Sequence, residues 1–342
     1  MVEPAANRTL AATRRAPSMQ DVAEIAGVSH QTVSRVLNGH ASIRPETRER
    51  VEAAIAELGY RRNLAARTLA TSRSRSIGVL SPAVPQFGVT SSLLAVEAAI
   101  REAGYQPLVT AAAVEHAASV DGLEFLLDQS IEALVVIAPH ASVTRAIDEL
   151  KIDLPLVALQ APDGVIGQAI GVDHSSGTRL ATEHLVALGH RRIQHVSGPA
   201  HYFEAVSRRA GFDDAVRDAA LEPLPIIEGD WTAVGGHAAA AVLAPGVTAV
   251  VCANDQTAIG LMAGLEAAGQ RVPDDVSVTG FDDIPEAPYL RPGLTTVRQD
   301  FDAIGRAAVD ALVRRLAGSE AAAVERLRAE LVVRASTAPP RN

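Results

Sequence analysis

The sequence predicts a small all-α head followed by an α/β body of two doubly wound lobes, each on a parallel sheet. Three observations carry this. Residues 19–60 hold short apolar stripes at helical spacing with turn residues between them. Beyond residue 76, short apolar runs alternate with amphipathic stretches rich in Ala, Leu and Glu, the texture of βαβ units. That second region spans about 260 residues, generous for one sheet domain, so two similar lobes are expected.

At 342 residues, 48% hydrophobic and 21% charged, the chain has a globular composition. No apolar run approaches the roughly 20 residues that a membrane span needs. The N-terminal MVEPAANRTLAATRR has arginines but no apolar core behind them, so it reads as a disordered tail and not as a secretory signal. The single cysteine, Cys252, leaves no internal disulfide and no cysteine-cluster metal site. A cytoplasmic location is expected. Charge is unevenly spread. Residues 1–76 hold 12 Lys and Arg against 7 Asp and Glu, a balance of +5, so with −9 overall the remainder carries −14. A basic head on an acidic body suits a head that touches phosphate while the body binds something else.

In the head, Val22, Ala23, Ile25 and Ala26 give a first short helix its apolar face, and Gly27 is suited to end it. Ser29 is a good N-cap for a second helix, in which Val33, Val36 and Leu37 point inward. The opposite face then presents His30, Gln31, Thr32, Ser34, Arg35 and Asn38, side chains that hydrogen-bond base edges or phosphate oxygens. A third helix, Pro45–Leu58, has Pro near its first turn, Gly59 after its end, and Val51, Ala54, Ile55 and Leu58 for packing. Residues 61–76, RRNLAARTLATSRSRS, are a basic segment with little apolar content and read as a linker.

The stretch Asp21-Val-Ala-Glu-x-Ala-Gly-Val-Ser-x-Gln-Thr-Val-Ser-Arg-Val-x-Asn38 resembles the head of the lac repressor/galactose repressor family of bacterial transcriptional regulators, its lac branch most. Arg48-Glu, Val51-Glu-Ala-Ala, Ala56-Glu-Leu, Tyr60 and Asn63…Leu69-Ala70 continue it, and the likeness covers about residues 19 to 336. The resemblance implies a helix-turn-helix head and a periplasmic-binding-protein-like core. It implies that His30, Gln31 and Arg35 contact base edges, while Thr32, Ser34, Asn38, Thr47 and Asn63 fix the head to phosphates. Leu69 from each of two subunits would wedge into the minor groove of operator DNA. His30 stands where the lac branch has Tyr, so the operator sequence need not be shared. A symmetric reader implies a homodimer on double-stranded, pseudopalindromic DNA.

In the body, no Gly-x-Gly-x-x-Gly after a strand, Walker loop, Gly-x-Ser-x-Gly elbow or His-Glu-x-x-His is found, so an enzyme is not expected, nor a cofactor or metal. His184 and His190 read as surface residues near a helix end. Taken alone, the residues support only an unspecified ligand-binding body. The segments Gly177-Thr-Arg-Leu, Glu183-His-Leu-Val-Ala-Leu-Gly-His190, Gly229-Asp-Trp231, Ala253-Asn-Asp-Gln256, Gly280-Phe-Asp-Asp283 and Leu294-Thr-Thr-Val-x-Gln-Asp-Phe301 resemble the family's sugar-binding core. The resemblance implies that Arg208, Asn254 and Asp282 hydrogen-bond sugar hydroxyls while Trp231 and Phe301 pack on the sugar's apolar face. Such a division of labour suits a pyranose. Gln160 stands where the lac branch has Asp, and the loop after Leu80, Ser81-Pro-Ala-Val-Pro-Gln-Phe-Gly, departs from its pattern, so hydroxyl selectivity can differ.

The implied organisation is a tail over 1–18, the head over 19–62, a hinge helix and linker over 63–75, and a core over 76–342. Within the core the first lobe takes about 76–172 and 301–329, the second about 173–300 and 330–339. The implied function is a dimeric repressor released by a small sugar, a galactoside or related glycoside, in the cleft between lobes. The alternatives are a corepressor-dependent regulator of the same fold and a sugar-binding transport receptor. No leucine repeat follows residue 336, so a dimer is expected and not a tetramer.

Overall fold

The structure, a computed structural model, describes residues 17–40, 42–61, 73–113, 115–137, 140–161, 168–319 and 326–341. It forms two compact units that part between Ser74 and Arg75. The expected tail, apart from Pro17 and Ser18, and most of the expected hinge, including Asn63 and Leu69, lie outside the described residues.

The first unit packs three helices, α1 (Met19–Ala26), α2 (His30–Leu37) and α3 (Pro45–Leu58). A capping box starts α1: Ser18 Oγ accepts from the Asp21 N–H and the Asp21 carboxylate accepts from the Ser18 N–H at 2.6 Å. Gly27, at φ 62°, turns the chain out of α1, and Ser29 Oγ caps α2 by accepting from the Thr32 N–H at 3.2 Å. Val22, Val33, Val51, Ala54 and Tyr60 close the core between the helices. Ile25 was expected in that core but is 47% exposed. It lies one residue before Ala26, about 100° round the helix, outside the stripe that Val22, Ala23 and Ala26 complete.

The second unit begins with β1 (Ser76–Pro82), α4 (Phe87–Glu102), β2 (Gln106–Ala112), α5 (His116–Asp128), β3 (Ala133–Ile137), α6 (Ala141–Leu150), β4 (Leu156–Leu159) and β5 (Gln168–Ile170). Its strands pair in the order β2-β1-β3-β4-β5, all parallel. The near-unbroken apolar runs of β3 and β4 are wholly buried, as a sheet covered on both faces requires. The chain then builds a second lobe from α7 (His174–Ala187), β6 (Ile193–Ser197), α8 (Phe203–Asp218), β7 (Ile227–Glu228), α9 (Ala233–Ala239), β8 (Ala249–Cys252), α10 (Asp255–Ala267), β9 (Ser277–Asp282) and β10 (Thr295–Arg298).

It next returns to the first lobe as α11 (Phe301–Leu316), whose Ile304, Ala308, Val309 and Leu312 join the core of Ile77, Val96 and Val135. Finally β11 (Glu330–Val332) goes back to the second sheet, ordered β11-β10-β9-β8-β6-β7, and pairs antiparallel to β10, the one departure from parallel pairing. The chain thus crosses between lobes three times. The first and third crossings are stitched together, Leu327 donating to the Gly171 carbonyl and Asp173 to the Leu327 carbonyl at 3.0 and 3.1 Å.

One expectation fails against the C-terminal segment. Ser336, in the polar stretch STAPPRN, is wholly buried, its Oγ donating to the Val278 carbonyl at 2.6 Å. His190, read as a surface residue, is buried between the Thr248 hydroxyl (2.9 Å) and the Ala338 carbonyl (2.8 Å). Both satisfy the C-terminal segment as it runs along the second sheet. His184 is half-buried against the Thr337 hydroxyl at 3.0 Å.

Candidate functional site

In the head, Val33 and Val36 turn one face of α2 into the core, so the other must face solvent. His30, Gln31, Arg35 and Asn38 are exposed there, and Thr32 and Ser34 are half-exposed. Ser29 Oγ and Thr32 Oγ1 share a hydrogen bond at 2.9 Å, and Asn38 donates to Ser34 Oγ at 3.4 Å. These contacts steady the polar face, while His30, Gln31 and Arg35 project from it. Thr47 lies half-exposed in the first turn of α3. The structure therefore puts seven of the nine candidate DNA contacts on an exposed or half-exposed helical surface; the other two lie outside the described residues.

In the body, α8 carries Arg208 to the end of β9, where the strand delivers Asp282. Arg208 is 3% exposed and its Nη2 lies 3.5 Å from Asp282 Oδ1. It also donates from Nε to His174 Nδ1 at 3.3 Å and from Nη1 to the Ala253 carbonyl, with its guanidinium 3.8 Å from the Phe281 ring centre. Gln299 donates to Asp282 at 2.6 Å. Burial still outweighs this pairing and pushes the Asp282 carboxyl up to about 6, with Arg208 and Gln299 opposing. Burial, then Arg208 and Arg326, hold His174 well below the ordinary imidazole range, so it stays neutral and accepts from Arg208.

Trp231 lies 5.5 Å from the Arg208 guanidinium and edge-on to Tyr202 at 5.6 Å. A Cβ on Gly198 would fall inside the indole, so only glycine admits the ring there. Asn254 caps α10 by accepting from Thr257 N–H at 3.0 Å and donates to the Trp231 carbonyl at 3.0 Å. Its amide therefore positions Trp231 and the helix. Phe301 sits on the first-lobe side, edge-on to Phe87 at 5.8 Å, and shares the surroundings of Gly88 with the Gln160 amide. Gln160, Trp231 and Asp282 all hold positive φ, at 60°, 69° and 114°. Backbone strain of this kind collects at binding sites.

Between the lobes lies a cavity of about 240 Å³ bounded by Gln160, His174, Phe203, Glu204, Ser207 and Arg326. The candidates thus separate: Gln160 lines the cavity, whereas Arg208, Asp282 and Trp231 form a buried layer beside it. Sequence reasoning missed Glu204, His174 and Gln299. Glu204 precedes Arg208 by one helical turn, which places it on the same face. His174 and Gln299 reach the site only through the lobe crossings. Glu204 is 6% exposed, and burial raises its carboxyl to about 7, with Arg208 opposing and Asp282 adding.

A groove-sized helical face and a two-lobed body enclosing a polar cleft define a ligand-responsive regulator that reads DNA. The chain belongs to the lacI family of bacterial regulatory proteins: the model of that family matches residues 18–63, and that of the periplasmic binding protein-like domain matches residues 182–337. The lactose operon repressor of Escherichia coli (strain K12) is 35% identical over 94% of this chain and 91% of its own length. The regulator CelR of Thermobifida fusca is 34% identical over 89% and 93%. A lac repressor dimer bound to operator and the anti-inducer ONPF superposes at TM-score 0.87, with 34% identity over 95% of this chain and 100% of that one. A CelR–cellobiose complex gives 0.70, with 30% identity over 94% and 99%. These relatives are transcriptional regulators and not enzymes. Among the described residues no helix is long and apolar enough to cross a membrane.

Proposed function

We propose that the chain is a cytoplasmic, homodimeric repressor that holds a pseudopalindromic operator and lets it go when a sugar enters the cleft. The head over 19–62 reads DNA, the segment 63–75 is the hinge, and the core over 76–342 binds sugar and dimerises. His30, Gln31 and Arg35 meet base edges; Thr32, Ser34, Asn38, Thr47 and Asn63 meet phosphates; Leu69 enters the minor groove. Arg208, Asp282, Asn254, Trp231, Phe301 and Gln160 serve the sugar, for which a galactoside is the first candidate. The carrying observation is that a capped, exposed polar helix face shares a chain with the strained interlobe site around Arg208 and Asp282. The relatives named for lactose and solved with cellobiose support the choice of a sugar.

The test is a gel shift of a palindromic operator with and without lactose, cellobiose and related glycosides. Release by a sugar is expected; tightening by one would replace induction with corepression. Arg35→Ala should weaken specific binding by roughly 1–3 kcal/mol while leaving thermal unfolding unchanged. Equal loss on specific and unrelated DNA would instead make Arg35 a phosphate contact.

A further inference from the structure

The body begins on a strained residue. The two units part between Ser74 and Arg75, and Arg75 holds φ at 53°, a left-handed conformation that an arginine seldom adopts. Such a residue stays there only when its surroundings hold it. Three groups of the body do so. The Glu132 carboxylate, one residue before β3, accepts from the Arg75 N–H at 2.6 Å. The Arg75 carbonyl accepts from the Gln106 N–H at 2.8 Å. The Arg75 guanidinium lies 5.9 Å from the centre of the Tyr105 ring. Glu132 is itself tied down, its N–H donating to the Ser76 carbonyl at 2.9 Å.

With its N–H and carbonyl both engaged, Arg75 has both flanking peptide planes fixed relative to the first sheet. The carbonyl bond continues the pairing of β1 with β2. The Glu132 bond is of another kind, a side chain from 57 residues away that reaches the first N–H of the body. We propose that Glu132 and Tyr105 clamp Arg75 and set the direction in which the chain leaves the body toward the head, which makes Glu132 a positioning residue for the half-site spacing that the dimer accepts. This rests on the reading of a homodimer on a pseudopalindromic operator given above. Without the clamp, Arg75 is free to return to the ordinary φ of about −65°, which turns the chain before it through about 120°. Two heads with a defined exit meet paired half-sites at high effective concentration, whereas heads with a loose exit spread over many separations. Losing the clamp therefore weakens binding to paired half-sites and leaves the contacts of each single head unchanged.

The experiment follows fluorescence anisotropy of labelled duplexes titrated with the full chain. One duplex carries two inverted half-sites that the wild type selects from a randomised library. Others carry the same sites with one or two base pairs added or removed between them, or one half-site alone. The wild type should prefer the paired to the single site by ~100-fold or more and lose affinity sharply when the spacing changes. Glu132→Ala should lose about tenfold on the parent spacing, nothing on the single half-site, and most of the discrimination between spacings. Glu132→Gln keeps an acceptor and should lie close to the wild type. Glu132 is half-exposed, so Glu132→Ala should melt near the wild type; if it melts well below, Arg75→Gly, which turns freely at that φ, is read in its place. A wild type that binds paired and single half-sites equally overturns the dimeric reading and the clamp with it. Equal losses on paired and single sites, an unchanged spacing profile, or a loss in Glu132→Gln as large as in Glu132→Ala overturns the clamp alone.

Discussion

Arg208 sits among two carboxyls, an imidazole and two aromatic rings with almost no access to water. A buried charge is tolerated only with partners, and removing one partner leaves the other stranded. Arg208→Ala should therefore cost roughly 3–5 kcal/mol in urea unfolding, because Asp282 would keep only Gln299. Arg208→Lys keeps the charge but loses the planar contact with Phe281, so an intermediate cost is expected. Asp282→Asn removes one of the two carboxyls beside a single guanidinium and should cost less than Arg208→Ala, while a sugar no longer releases operator. Unfolding of Arg208→Ala within about 1 kcal/mol of wild type would mean that the pair at 3.5 Å does not hold α8 to β9.

At the scale of elements, the turn between β6 and α8 decides where Trp231 stands. Gly198→Ala puts a methyl group 2.2–2.6 Å from three carbons of the indole, so either the turn or the ring must move. Stability should fall by about 1–3 kcal/mol, the range for overpacking. Sugar affinity should drop with it, readable as lost quenching of the chain's single tryptophan. Retained quenching with wild-type affinity would show that the ring is not part of the site. The head was legible in sequence because its signals are local: Ser29, Gly27, Pro45 and Gly59 mark helix ends within a few residues of the groups they cap. The lobes were legible because buried parallel strands read as continuous apolar runs. His190 and Ser336 were not, since their partners Ala338 and Val278 lie 148 and 58 residues away. For the same reason His174 and Gln299 entered the site only once the crossings were known, whereas Glu204 carried a local signal, one turn before Arg208 on the same helix, and Asn254 turned out to have its amide engaged within the chain.

For the whole molecule, the lobes are joined by three crossings, and a contact apart from the proposed sugar residues also spans the cleft. His140, at the start of α6, makes an antiparallel bridge with Tyr202, and its ring packs 3.9 Å from the Tyr202 ring and 5.1 Å from His201. Gln86 donates to the Tyr202 hydroxyl at 3.2 Å. Tyr202 in turn backs Trp231, so the aromatic pair at the proposed sugar site touches the first lobe directly. Allosteric coupling is a ratio of affinities and is reciprocal. Operator should weaken sugar binding by the factor by which sugar weakens operator binding. If Tyr202 carries that coupling, Gln86→Leu and Tyr202→Ala should change the ratio of sugar dissociation constants measured with and without operator, by roughly 0.5–2 kcal/mol. Tyr202→Ala also loosens Trp231 and will alter sugar affinity by itself, which is why the ratio and not either constant is decisive. Gln86→Leu removes only the hydroxyl contact and should move the ratio less, in the same direction. An unchanged ratio in both variants would assign the coupling to the crossings themselves.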